Sequence, residues 1–297
     1  MTVIKEDSSL FFRVHSPIVI ARRKISETWY SPGIYISLTA GLVIAFLIVT
    51  SYTKSIGSGG FDSTLNPFFN FLSGLLVGAF GEAFFTKVFS EGPFYCALIL
   101  SFVPILVFIT INSVFRFGFE KNVGALRLIS FGPADGTSFI IGTLIKDIFF
   151  YVIALAVLIC FFVLCAIINN LLLGPKFFFG ILTIFAFALC VSAYGVFSSS
   201  VTGNSGAAVA LFSAIMMASV AIHIGSFMKL EDQTDVLSSI LLKIARWASP
   251  IFYWQQAMAL VDDLMWGRVI LALAGSGIMA IVLIGISHLV SRYREAD

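Results

Sequence analysis

Six long apolar runs, separated by short polar intervals, constrain this chain more than any other feature. A helix needs about 20 apolar residues to cross a hydrocarbon core of about 30 Å. Hydrophobic residues make up 59% of the chain and charged residues 11%, whereas an ordinary soluble domain carries about a quarter charged residues. The sequence therefore predicts an all-α integral membrane protein with six transmembrane helices. The predicted spans are residues 34–52, 94–115, 139–168, 177–197, 207–228 and 269–290.

The positive residues orient these spans. Arg22, Arg23 and Lys24 precede the first span, and Arg292 and Arg294 follow the last one. Because Lys and Arg accumulate on the cytoplasmic side of membrane proteins, both termini are expected in the cytoplasm. The predicted location is the cytoplasmic (inner) membrane, crossed several times.

A further apolar segment, residues 66–89, is placed by charge rather than by hydropathy. If it crossed the membrane, four cations would lie outside and break the positive-inside rule: Arg116, Lys121, Arg127 and Lys146. The pattern therefore favours an extracytoplasmic insert, about residues 53–92, whose helix or hairpin dips into the membrane. Glu82 lies within it and is interpreted as a solvated carboxylate.

The chain is expected to form one transmembrane domain, residues 34–297, preceded by an N-terminal region, residues 1–33. Basic and apolar residues alternate through residues 10–30, which favours an amphipathic helix lying in the interface with its cations toward anionic headgroups. A second mixed segment, residues 229–267, contains Ser249-Pro250 and several Trp and Tyr residues. Such aromatic residues favour the membrane interface, so this segment is predicted to be extracytoplasmic and re-entrant.

The interval between the second and third spans has the strongest local pattern. Glu120, Lys121 and Arg127 are polar, whereas Leu126 and Leu128 are apolar, as in a short amphipathic helix. Gly132-Pro133 then ends the helix, because proline lacks a backbone donor and restricts the residue before it.

This interval resembles the membrane subunit of type-2 ABC exporters. That family has a signature of Glu, three residues, Gly-Thr-Leu-Glu-Leu-Leu, three or four residues, then Pro. The matching positions here are Glu120, Gly124, Leu126, Leu128 and Pro133, and Gly142 fits the glycine that begins the third span. The chain departs from the pattern at Ala125, Arg127 and Thr143, where threonine, glutamate and lysine are usual.

The resemblance implies a function for the interval and partners for the chain. Residues 118–133 would form a coupling helix that docks onto a separate cytosolic ATPase, with Glu120, Lys121, Gly124, Leu126, Arg127, Leu128 and Pro133 at the contact. It implies a non-enzymatic permease that exports its substrate, pairs with a second copy or a paralogue, and leaves ATP and Mg²⁺ to the ATPase. No cofactor or metal is expected on this chain, because it has no Gly-x-x-x-x-Gly-Lys-Ser/Thr phosphate loop and no metal-ligand spacing. The formal net charge of +2 is too small to argue for a nucleic-acid partner.

Two other classes stay open. A transporter or channel driven by an ion gradient would need ionisable residues inside its spans, and the only candidate that the sequence suggests is Glu82. A membrane scaffold would use the same interval to bind a non-enzymatic partner. The four cysteines fall inside apolar runs and are expected to be free thiols: Cys96, Cys160, Cys165 and Cys190. The sequence does not specify the substrate.

Overall fold

The computed structural model describes residues 4–57, 71, 74, 92–122, 136–227, 236–261 and 266–296. These residues form helices and short turns, without a β-strand among them. The helices are α1 (Ile4–Trp29), α2 (Pro32–Gly57), α3 (Phe94–Asn122), α4 (Gly136–Asn169), α5 (Pro175–Val201), α6 (Ser205–Phe227), α7 (Val236–Trp247), α8 (Pro250–Val261) and α9 (Trp266–Ala296). Six of them, α2 to α6 and α9, contain a stretch long and apolar enough to cross a membrane. The predicted all-α, six-span membrane class is confirmed.

Local chemistry sets several helix ends. Pro32, Pro175 and Pro250 each occupy the first position of a helix, where the missing N–H would have no partner inside the helix and the fixed φ already suits helical backbone. The end of α4 is marked by Asn170, which follows Asn169 and has φ of 52°. Asparagine tolerates this left-handed conformation, which commonly ends a helix.

Two helices, α3 and α5, form the centre of the bundle. In the most apolar stretch of α3, 61% of the residues are buried, against 17% in the corresponding stretch of α6. Small residues recur through residues 207–228, and because small side chains let helices approach closely, they favour a central position for α6. The structure corrects that expectation: α6 contacts α3 and α5 with one side, and most of its small residues lie on the exposed side, as at Ala207, Ala210 and Ala214.

The two ends of the bundle differ in chemistry. At one end, called here the aromatic end, Phe94, Phe162 and Phe177 meet edge to face with ring centroids 5.7–6.4 Å apart. At the other, called the charged end, the Lys121 ammonium on α3 contacts the last turn of α5. Thr137 at the start of α4 and His288 near the end of α9 also meet there, with Oγ1 and Nδ1 2.7 Å apart.

The predicted re-entrant segment, residues 229–267, contains α7 and α8, which have 12 residues each. At about 1.5 Å per residue, each is about 18 Å long and too short to cross a hydrocarbon core of about 30 Å. Their turn contacts α5 through a hydrogen bond from the Tyr194 hydroxyl to the Ala248 carbonyl. α8 then packs along α5 and α9, with Trp254 against Phe187 and Tyr253 against Gly275.

Candidate functional site

The candidate site is a junction of α1, α3 and α4 at the charged end. α1 runs alongside the first half of α4: the Ser16 hydroxyl donates to Ser138 Oγ at 2.8 Å, and Trp29 packs against Phe150. The buried residues of α1 recur at helical spacing on one face: Pro17, Ala21, Lys24 and Thr28. The two helices approach so closely at Gly142 that an added Cβ would lie 2.9 Å from Ile20 Cγ2.

Lys24 is the charged residue at the centre of this junction. Its side chain is 5% exposed, and its ammonium donates to Thr143 Oγ1 at 2.8 Å. It also lies 3.4 Å from Glu120 Oε2 and 3.4 Å from the centroid of the Phe139 ring. Burial lowers the pKa of Lys24 from 10.5 to about 7, and the nearby Glu120 carboxylate opposes part of that shift.

The predicted interfacial cations therefore divide between two faces. Arg22 and Arg23 are exposed. Lys24 instead faces inward, which corrects the expectation for that residue. It points along the stripe that packs against α4, where a hydroxyl, a carboxylate and an aromatic face surround the ammonium.

Two of the predicted ATPase-coupling residues can be placed, and both contact the chain itself. The Glu120 side chain is 13% exposed and pairs with Lys24, while its other oxygen lies 3.8 Å from Arg23 Nη2. Lys121 Nζ donates to the carbonyls of Ser200 at 3.0 Å and Thr202 at 2.6 Å. A cation at these last carbonyls stabilises the C-terminal end of α5.

The remaining coupling residues, Gly124, Leu126, Arg127, Leu128 and Pro133, lie outside the described residues, as does most of the predicted helix at 118–133. The same holds for most of the insert at 53–92, including Glu82.

A second layer of ion pairs covers the outer side of the junction. Glu27 on α1 accepts a bond from Arg23 Nε at 2.7 Å and one from Arg116 Nη1 of α3 at 2.6 Å. The Glu27 contact raises the pKa of Arg23. Arg116 also donates through Nε to Asn112 Oδ1 at 3.1 Å. This layer joins α1 to α3 by contacts that water and salt can reach.

Sequence reasoning missed the most deeply buried charges. Lys146 and Asp147 on α4 are 2% and 0% exposed, and Lys146 Nζ lies 2.8 Å from Asp147 Oδ1. Ser113 of α3 bonds to both: its hydroxyl donates to Asp147 Oδ1 at 2.6 Å and accepts a bond from Lys146. Asp147 Oδ2 has no hydrogen-bond partner among the described residues. The available signal was two adjacent charges inside an apolar run, since ionisable residues within spans tend to be functional.

The polar contacts continue one helical turn further into the bundle. The Tyr151 hydroxyl lies 3.0 Å from Thr110 Oγ1 and 2.7 Å from Ser192 Oγ. This cluster links α4, α3 and α5, and all three side chains are buried there. Ordered polar clusters of this kind fix helices in one register, because each group would be costly to leave unpaired.

The described part of the chain includes all four cysteines. It contains no group of three or more His, Cys, Asp or Glu side chains arranged to hold a metal ion. Cys96, Cys160, Cys165 and Cys190 are free thiols.

Comparisons with protein-family models, curated proteins and solved structures found no match. Function must therefore be argued from the residues and their geometry.

Proposed function

We propose that this chain is the permease subunit of an ATP-driven ABC transporter working in export. The proposal rests on six candidate spans and on the resemblance of residues 120–133 to the coupling segment of type-2 exporters. In it, a cytosolic ATPase binds that segment and supplies ATP and Mg²⁺. A second copy or a paralogue completes the pathway through the cytoplasmic membrane, with both termini cytoplasmic.

The main support for the proposal is the set of contacts that α1 makes with α3 and α4, the two helices that residues 123–135 connect. α3 ends at Asn122 and α4 begins at Gly136, so the segment connects two helices that α1 already joins. Glu120 is paired with Lys24 of α1, and Ser138 and Thr143 of α4 bond to the same helix. Movement applied to residues 123–135 would therefore act on α1, α3 and α4 together, which is what coupling to an ATPase requires.

Lys121 extends this connection to two further helices. Its bonds to Ser200 and Thr202 tie the end of α3 to the end of α5. An added Cβ at Gly118 would lie 2.6 Å from the Ser205 Cα, so α3 also touches the start of α6. A partner at the charged end could in this way move the central helices of the bundle.

The direct test is purification from the native membrane. We expect an ATP-binding subunit to accompany the chain, and the chain alone to hydrolyse no ATP. Steady hydrolysis by the isolated chain would contradict the proposal. Co-purification with a partner that lacks ATPase activity would instead support the membrane scaffold.

A variant series tests the segment itself. Leu126→Ala and Leu128→Ala should weaken retention of the ATPase or uncouple hydrolysis from transport, because each apolar contact contributes about 1.5–3 kcal/mol when fully buried. Arg127→Ala should have a smaller effect, since that position departs from the family pattern. Transport and partner retention are compared at equal membrane abundance. Parent-like behaviour of all three variants would remove the main support for an exporter.

A second candidate, a transporter driven by an ion gradient, is favoured by Lys146 and Asp147. Both are buried within the fourth helix, and buried ionisable pairs occur in proton and ion pathways. The discriminating measurement uses the reconstituted protein with an imposed proton gradient and no ATP. A proton flux that depends on the imposed gradient and is lost in Asp147→Asn would support this candidate. The absence of any gradient-driven proton flux would support the ABC permease.

A further inference from the structure

A groove of about 410 Å³ separates α1 from α3 at the outer side of the junction. Arg23 and Glu27 line it on α1, and Asn112, Arg116 and Glu120 line it on α3. Its volume falls within the range of about 300–1,000 Å³ that small-molecule sites occupy. The coupling proposal assigns no ligand to it.

Two polar groups in the groove have unused bonding capacity. Asn112 Nδ2 is buried and has no hydrogen-bond partner within the described ranges, although Asn112 Oδ1 accepts a bond from Arg116. The Glu120 carboxylate is held by cations at 3.4 and 3.8 Å, longer than the 2.7–2.9 Å of a charge-assisted hydrogen bond. The groove therefore presents one amide donor and one carboxylate acceptor that a ligand could engage.

The groove continues into an apolar stripe on α3. Phe115 and Phe119 line the groove, stack on each other with centroids 6.4 Å apart, and are about half exposed. Three further exposed residues continue the stripe at four-residue spacing: Val103, Val107 and Ile111. Because residues four apart share one face of a helix, this stripe forms an apolar track along a membrane span.

The charges of the lining decide which headgroup fits. Arg23 and Arg116 are balanced by Glu27 and Glu120, so a ligand with net negative charge would meet as much repulsion as attraction. A headgroup that carries one phosphate and one ammonium matches both signs. A primary ammonium donates up to three hydrogen bonds, which suits the Glu120 carboxylate, whereas a quaternary ammonium has no N–H to donate.

We propose that this groove binds the headgroup of a phospholipid that carries both a phosphate and a primary ammonium. The phosphate accepts bonds from Asn112 Nδ2 and the Arg116 guanidinium, and the ammonium donates to Glu120. One acyl chain follows Phe119, Phe115 and Ile111 along α3. The site uses residues of α1 and α3 only, and it stands whether ATP or an ion gradient drives transport.

The test is native mass spectrometry of the purified chain with an equimolar mixture of three lipids of identical acyl chains. Their headgroups are phosphoethanolamine, phosphocholine and phosphoglycerol. We expect phosphoethanolamine lipid to be retained about tenfold over the other two, the factor that one charge-assisted hydrogen bond supplies. Glu120→Gln should reduce this preference to near unity, because it removes the charge that the ammonium pairs with, whereas Asn112→Leu and Phe115→Ala should lower retention of all three lipids alike.

Matched variants keep the test decisive. Asn169→Leu changes an exposed asparagine at the far end of α4 and should retain the full preference. Arg116→Gln alters a part-exposed side chain that also bonds to the phosphate, so it should lower retention of all three lipids even if Asn112→Leu fails to fold. Equal retention of the three lipids, a preference for phosphoglycerol, an unchanged preference in Glu120→Gln, or parent-like retention in both phosphate-contact variants would overturn the proposal.

Discussion

The charged end and the aromatic end of the bundle are held together by different physics. At the aromatic end, Phe94, Phe162 and Phe177 pack edge to face, an arrangement that depends on shape and is indifferent to pH. At the charged end, α1 and α3 meet through Lys24 and Glu120, which depend on protonation and on each partner being present. The comparison predicts that contacts at the charged end respond to pH and salt, whereas contacts at the aromatic end do not.

Removing one side chain of a contact should destabilise the protein more at the charged end than at the aromatic end. A buried charge that loses its counter-ion destabilises a protein more than a lost apolar contact of similar size. This cost makes the junction specific, because Lys24, Lys146 and Asp147 tolerate few alternative arrangements.

Lys146→Met should have the largest effect, because it leaves the Asp147 carboxylate buried without its cation. We expect a loss of about 3–5 kcal/mol in the free energy of unfolding, measured by chemical denaturation in detergent. Lys54→Met, at an exposed lysine near the end of α2, is the control and should change stability by less than about 0.5 kcal/mol. Equal losses of stability in the two variants would show that the buried pair stabilises the protein no more than an exposed lysine does.

Phe162→Leu tests the aromatic end. It keeps most of the apolar bulk but removes two edge-to-face pairs, with Phe94 and Phe177, at about 0.5–1.5 kcal/mol each. The expected loss of about 1–3 kcal/mol should not change with salt or pH. Phe46→Leu, at an exposed position of α2, serves as the control. A salt-dependent loss would contradict the contrast between the ends.

Gly142→Ala tests how tightly α1 is seated on α4. The new methyl group would lie 2.9 Å from Ile20 Cγ2. Overpacking costs about 1–3 kcal/mol, and better helix propensity returns about 1 kcal/mol, which leaves a net loss of about 1 kcal/mol. Gly277→Ala in α9 meets no atom within 4 Å and should be neutral or slightly stabilising. A stabilised Gly142→Ala protein would mean that α1 does not pack there.

The smallest of these predicted effects is the change in stability with pH near neutrality. Burial places the Lys24 pKa at about 7 in the folded protein, against 10.5 when unfolded. The unfolded state therefore binds more protons between these values, so stability should rise with pH through that window and fall as pH drops toward 7. Between pH 6.5 and 7.5 the change is about 0.7 kcal/mol, half of what one full proton per pH unit gives. Lys24→Met should remove this increment; an unchanged pH profile would place the titrating group elsewhere.

The spans could be predicted from sequence because hydropathy depends on each residue alone. The predicted span at 139–168 lies within Gly136–Asn169, and the predicted amphipathic helix at 10–30 overlaps Ile4–Trp29. The segment predicted to be re-entrant, residues 229–267, contains the short helices α7 and α8.

The pairing of charges could not be predicted, because it depends on which helices become neighbours. Ser113 and Asp147 bond to each other across 34 residues of sequence, and no local pattern indicates that contact. Neighbouring residues such as Lys146 and Asp147 point about 100° apart on a helix, so helical periodicity alone does not predict that both are buried. Both are buried because Ser113 of α3 bonds to both side chains and because α1 and α5 also pack against α4.

The central claim is that Glu120, the first residue of the coupling signature, is held by α1 of its own chain. A double-mutant cycle with Lys24→Met and Glu120→Gln, read as the free energy of unfolding in detergent, measures this contact directly. We predict a coupling energy between the two residues of about 0.5–3 kcal/mol, with the double variant more stable than the sum of the single losses implies. Additive losses, within about 0.3–0.5 kcal/mol, would contradict the account and leave Glu120 as a contact for a partner alone.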